Sequence, residues 1–217
     1  MTARARGVLG SSPGRAAFAR AGLANALSRA RLAAHLQRVL FTAASPRFPA
    51  ESFDPFGVDR VGLDAHNSED ALLASGSIPL LCEPVRHPAG APRGEYWDGG
   101  LIDYHLLFPY AQLPRLVLYP HFASHITAGW LDKFLPWRRH APAHPWLDNV
   151  LLFSPSPVLL DRLPNRKLPD RSDFYRYGLD HGRRQLDWRR AMAESRRFAE
   201  EVMAWLANPD PSLLRPL

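Results

Sequence analysis

The sequence predicts a mixed α/β domain. Short apolar, β-branched runs alternate with helix-forming segments, the pattern of strands and helices that share one core. The 217 residues are 46% apolar and 22% charged, enough to bury a sizeable core. No stretch approaches the 18 consecutive apolar residues of a transmembrane helix. The 21 prolines predict many turns, and the single cysteine, Cys82, excludes both an intrachain disulfide and a cysteine-built zinc site.

In chain order, MTARARGVLGSS reads as irregular or as a very short strand. Ser12-Pro13 is a helix start, a serine N-cap followed by proline where a missing N–H costs nothing. The alanine-rich helix that follows offers Phe18, Leu23, Leu27, Leu32 and Leu36 as its apolar stripe, with Gly22 as a kink or break. RVLFTA (38–43) is a buried strand, and VDRVGLDA a second strand after a proline-rich loop. Asn67 or Ser68 caps the short helix EDALLAS, which stops at Gly76. IPLLCEPV is extended, and EYWDGGLIDY is a strand broken by a Gly-Gly turn. RLVLYPHF (115–122) and DNVLLFSPS (148–156) are two further strands. A final amphipathic helix runs over about 183–207, with Trp188, Met192, Ser195, Ala199, Val202 and Leu206 on one face.

The charge is uneven. The net charge is +6, but residues 1–50 hold eight arginines and no acid, so the remainder is slightly acidic. The basic segment reads as a solvated helix of the parent fold. The competing readings are a transit-like leader and an electrostatic contact with nucleic acid or anionic lipid. No nucleic-acid signature accompanies it, so no nucleic-acid partner is expected. His121 and His125 stand four apart in PHFASH without the glutamate of a metalloprotease motif, and no metal or cofactor is expected. Trp130, Trp137 and Trp146, with Lys133, Arg138 and Arg139, are either packing residues or an interfacial patch for lipid headgroups.

The chemistry concentrates at EYWDGG. Asp98 follows Tyr96 and Trp97, so its carboxylate is partly desolvated and needs hydrogen bonds or a partner. Gly99 and Gly100 let the backbone turn tightly and approach another segment. Twenty residues earlier stands ASGSIP, with Ala74, Ser75, Ser77, Ile78 and Pro79. These two blocks, in this order and continued by Leu101, Ile102 and Asp103, resemble the C-terminal signature of the patatin-like phospholipases.

The resemblance covers about residues 60–110. It implies a three-layer α/β/α sandwich and a Ser–Asp dyad that hydrolyses lipid acyl esters without a histidine. Asp98 inherits the general-base role, and Gly99 and Gly100 a backbone-shaping role. The implied partner is a lipid or other acyl ester, in the cytoplasm or at a peripheral membrane surface.

The nucleophile is the open part. Gly10-Ser11-Ser12-Pro13-Gly14 fits Gly-x-Ser-x-Gly formally. Yet Pro13 has no N–H to give an oxyanion hole, and little strand material precedes it. Ser12 therefore reads as an N-cap, and His105 as no part of a triad. The expectation is a patatin-like domain over 1–217 that is incomplete on its N-terminal side: a basic helical segment at 1–37, a sheet core with the DGG motif at 38–160, and a C-terminal helix at 183–207. Met1 then need not be the true start, and the nucleophile half would be a missing N-terminal partner. The alternative is a catalytically inactive module that binds lipid surfaces or a protein.

Overall fold

A computed structural model describes residues 1–7, 15–43, 49, 53–138 and 144–216. The protein is a mixed α/β structure whose contacts divide it into two compact units, Met1–Pro114 with His125–Asp148, and Arg115–Ser124 with Asn149–Leu217.

The first unit is built on a five-stranded sheet of order β3-β2-β1-β5-β4. Its strands are β1 (Thr2–Ala5), β2 (Leu36–Thr42), β3 (Asp59–Gly62), β4 (Val85–Arg86) and β5 (Glu95–Asp98). β1 is antiparallel to both β2 and β5, β4 is antiparallel to β5, and β2 and β3 are parallel. The central strand is thus the segment TARA, which the sequence left between irregular chain and a very short strand. Its buried Ala3 and Ala5 leave room for large neighbours, among them Trp97 and Leu36. The 1–37 segment is accordingly not all helical: it supplies the middle strand and the start of β2.

Alternation along the strands sorts the two faces. Ala3, Ala5, Leu36 and Trp97 share a cluster with Ala17 and Ala21 of α1 (Arg15–Leu27). Val39, Val61, Val85 and Tyr96 share another with Ala74 of α3 (Ser68–Ser75). Helices therefore pack on both faces of this sheet. α1 meets it through alanines and Phe18, which sits edge-on to Trp97 at 5.3 Å, while Leu23 and Leu27 point to solvent. Of the expected stripe, Phe18, Leu32 and Leu36 do reach the core and Leu23 and Leu27 do not; Ala17 and Ala21 take the places against the sheet. The helix breaks at Ser28, not Gly22. Ser28 is extended and accepts the Arg31 N–H, capping α2 (Arg29–Leu32). The cap expected at Ser12-Pro13 lies outside the described residues.

α3 stops at Gly76 as expected, but its cap differs. The Asn67 amide makes no cap bond and instead joins Gly62 and Ala89 carbonyls. IPLLCEPV is mostly a turn, extended only at β4, with Leu80 in the left-handed region at φ 69°.

The second unit pairs β6 (Val117–Pro120) and β7 (Val150–Phe153) in parallel and adds α4 (Pro157–Arg162), α5 (Ser172–Tyr177) and α6 (His181–Ala207). The less exposed positions of α6 are Arg184, Asp187, Trp188, Ala191, Glu194, Phe198, Val202, Trp205 and Leu206. Of the expected stripe Trp188, Val202 and Leu206 are among them, while Met192, Ser195 and Ala199 are exposed, so the face is turned in part toward Asp187 and Ala191. Polar contacts set that rotation: Asp187 accepts from Tyr177 Oη at 2.9 Å and Arg183 Nε at 3.0 Å. Trp188 Nε1 donates to the buried Asp173 at 2.9 Å, and Lys167 pairs with that carboxylate at 2.7 Å.

Candidate functional site

β5 carries Asp98 out of the sheet at its last residue, half-buried. The carboxylate then caps the single 3₁₀ turn Gly99–Leu101, with Oδ1 accepting the Gly100 N–H at 2.7 Å. The Asp98 N–H donates to the Ser77 carbonyl at 3.0 Å. The two motif blocks therefore touch: ASGSIP ends where Asp98 begins. Ser77 is buried, and its hydroxyl donates to Leu73 O at 2.9 Å, closing the end of α3.

Each glycine of the turn has a steric reason. A Cβ on Gly99 would lie 2.8 Å from Met1 O, so the backbone just before β1 and the turn approach too closely for any other residue without a shift. A Cβ on Gly100 would crowd Asp98 Oδ1 at 3.1 Å and meet the Tyr104 ring at 3.7 Å. Tyr104 in turn accepts a hydrogen bond from Lys133 Nζ at 3.0 Å, with the ammonium 4.6 Å from its ring centroid. Burial lowers the pKa of the Met1 amino group, while Asp98 and Asp103 both act on it in the opposite sense.

The direction of β1 bears on the nucleophile. Thr2 faces Asp98 and Arg4 faces Tyr96, so β1 leaves the sheet at the end of β5 opposite Asp98. An elbow following β1 would start roughly 10 Å along the strands from the carboxylate. Ser12 itself lies outside the described residues. Among the described residues no serine hydroxyl bonds to Asp98. His105 is buried, accepts the Thr127 N–H on Nδ1 at 2.9 Å and stacks on Tyr104; as a neutral ring it then carries its proton on Nε2.

Other expected features are dispersed. His125 lies 6.3 Å, ring to ring, from His105 in the first unit, while His121 belongs to the second. Among the described residues no group of three or more His, Cys, Asp or Glu is arranged to hold a metal ion. No helix among them is long and apolar enough to cross a membrane. Trp130 packs against the core and Phe134, Trp146 meets Phe53 edge-on, and Trp137 is exposed, so the three do not form one apolar surface.

The basic segment is used differently from a solvated helix. Arg38 of β2 is fully buried and grips two carboxylates: Asp103 through Nε at 2.6 Å and Nη2 at 2.7 Å, and Asp54 at 2.9 and 2.7 Å. Arg29 holds the buried Asp132 at 2.6 Å, and Asn25 adds a bond of 2.8 Å. Burial drives the Asp103 pKa up against the pull of Arg38, because one guanidinium serves two acids and Asp103 is the deeper. The sequence signal for this network was an arginine beginning an otherwise apolar strand. The carboxylates that answer it are 16 and 65 residues away.

No family model matches the chain, and neither the curated proteins nor the solved structures contain a match to it.

Proposed function

We propose that the chain is a patatin-like lipid acyl hydrolase homologue in which Asp98 is the general base of a Ser–Asp dyad. The observation that carries the reading is the junction of the two motif blocks, with the Asp98 N–H on the Ser77 carbonyl and its carboxylate fixed by Gly100. Helices on both faces of the first unit's sheet suit the α/β/α sandwich that the resemblance implies. In the reaction, a serine hydroxyl attacks the ester carbonyl as Asp98 accepts its proton. The alcohol leaves with a proton, and water then hydrolyses the acyl-enzyme. Asp98 suits this role because it is partly exposed and holds one backbone N–H, which leaves its other oxygen for a hydroxyl. Among the described residues no serine hydroxyl bonds to the Asp98 carboxylate.

The test is covalent. A fluorophosphonate probe labels activated serines, and peptide mapping locates the adduct. Labelling and p-nitrophenyl ester turnover that both vanish in Asp98→Asn support the dyad. An unlabelled chain with no turnover overturns the hydrolase reading for this polypeptide.

A second reading, an inactive lipid-surface or protein-binding module, is favoured by one observation. α3 buries only Ala71 and Ala74, while Leu72, Leu73, Leu80 and Leu81 are all more than half exposed. Such an inverted helix and turn form an apolar ridge of the kind that marks interaction surfaces. Vesicle binding lost in Leu72→Ser/Leu81→Ser but intact in Asp98→Asn supports this module.

A further inference from the structure

A cavity of about 340 Å³ opens in the first unit, and the proposed dyad makes no use of it. Its charged wall is matched from within. Three carboxylates line it, Asp54, Asp103 and Asp132. Arg38 answers the first two from behind the wall, at 2.7 and 2.6 Å. Arg29 answers Asp132 at 2.6 Å, with Arg138 3.7 Å from its other oxygen. Three guanidiniums thus meet three acids, and the wall has no unmatched charge to offer. An ionised ligand entering here would shed its hydration and find no counter-ion.

The rest of the lining is apolar and aromatic. Phe56 lies under the Arg29 guanidinium at 5.1 Å. Trp146 is held edge-on by Phe53 at 5.4 Å, and the His144 ring lies 4.4 Å from it. Trp137, 68% exposed, stands at the rim. His144 Nδ1 accepts the Trp146 backbone N–H, which leaves Nε2 as the ring's donor. Flat rings stack favourably on aromatic and guanidinium planes, and a mostly apolar cavity of this size with few polar groups is the usual form of a small-molecule site.

We propose that this cavity is a binding site for a small, uncharged aromatic molecule carrying a hydroxyl or carbonyl group. The site depends on the matched ion pairs and the aromatic rim alone, so it stands whether or not Asp98 is catalytic.

The experiment is a calorimetric and saturation-transfer NMR titration of the whole chain at pH 7 with three probes of one shape: 2-naphthol, 2-naphthoate and 2-naphthylmethylammonium. Saturable binding of 2-naphthol is expected, with each charged analogue at least ten-fold weaker. Trp137→Ala should weaken 2-naphthol at least five-fold at unchanged circular dichroism. Leu107→Trp, which fills the cavity from its lining, should abolish binding and serves as the second variant. Naphthoate or the ammonium binding as tightly as naphthol would overturn the charge argument. Absence of saturable binding by any probe, or binding unmoved by both variants, would overturn the site.

Discussion

Arg38→Met should be the most damaging single substitution in the first unit. The methionine replaces most of the aliphatic stem but removes a guanidinium that makes two bonds to Asp103, two to Asp54 and one to Gly57 O at 3.0 Å. Asp54 side-chain atoms are 13% exposed and can turn to water, but those of Asp103 are 3% exposed and lose their cation outright. Stranding one charge of a buried pair costs about 3–5 kcal/mol. The stacking of Arg38 over Phe53, at 4.4 Å from the ring centroid, is lost in the same step and is contained in that figure. For a chain of this length each kcal/mol moves the thermal midpoint by roughly 2–4 °C, so a fall of about 6–20 °C is expected. Urea unfolding followed by tryptophan fluorescence and by circular dichroism gives the free-energy change. The control is Arg38→Met/Asp103→Leu: with both buried charges removed, at least about 2 kcal/mol should return, because apolar replacements of buried ion pairs are often neutral or stabilising. A single variant within about 1 kcal/mol of wild type, or a double variant no better than the single, would refute the reasoning.

The same network has a pH signature. Asp103 has its folded pKa raised above its unfolded value of about 3.9, chiefly by burial. Between those two values the folded state holds a proton that the unfolded chain has released, so this group's contribution to stability falls as pH rises through the folded pKa. Asp103→Asn should therefore gain on wild type as pH rises from about 4, read as the difference in urea midpoints at each pH; a difference that is flat with pH would contradict this. Asp170, Asp173, Asp187 and Asp210 have lowered pKa values and opposite sign, and the subtraction cancels them. Gly99→Ala should destabilise by about 1–3 kcal/mol, since its Cβ meets the Met1 backbone at 2.8 Å. Gly22→Ala, with open space at its Cβ in α1, should stabilise by about 0.5–1 kcal/mol, and both are measurable in one denaturation series. Ser28→Ala removes the α2 cap and should cost about 1 kcal/mol by the same assay.

The legible parts of this fold are those whose local pattern agrees with their tertiary role. RVLFTA, VDRVG and VLLF are apolar and β-branched and form β2, β3 and β7; EDALLAS has its stop glycine and forms α3. The Asp-Gly-Gly turn was legible because Gly99 answers a close backbone approach by Met1 and Gly100 leaves room for the Asp98 carboxylate. The illegible parts invert the usual pattern. β1 is the central strand yet reads TARA, because the face it shares with α1 is filled from the neighbours by Trp97 and Leu36. α1 buries Ala17 and Ala21 and exposes Leu23 and Leu27, and α3 buries Ala71 and Ala74 and exposes Leu72 and Leu73, so leucines do not mark the buried side of either helix. α6 is rotated by the carboxylates Asp173 and Asp187, whose partners Tyr177 and Lys167 lie outside the helix. The wall of the cavity was invisible for a related reason: an ion pair spanning 65 residues leaves no local period.

The segment DGGLID uses two identical side chains for different work, and their surroundings decide which does what. Asp98 stands at a strand end, partly exposed, with one backbone N–H on one oxygen. Asp103, five residues on, is buried and clasped through both oxygens by Arg38. A carboxylate that is to accept a proton from a hydroxyl needs an oxygen within reach of substrate; one already bound on both oxygens by a guanidinium has none to spare. The two amide substitutions should therefore separate. Asp98→Asn keeps an oxygen to accept the Gly100 N–H, so its stability should stay within about 0.5 kcal/mol of wild type while any serine labelling disappears. Asp103→Asn should alter the pH dependence of unfolding and leave an activated serine labelled where one exists. If the reverse is found, with Asp98→Asn unfolding the protein and Asp103→Asn abolishing labelling, then the catalytic and structural assignments within this segment must be exchanged.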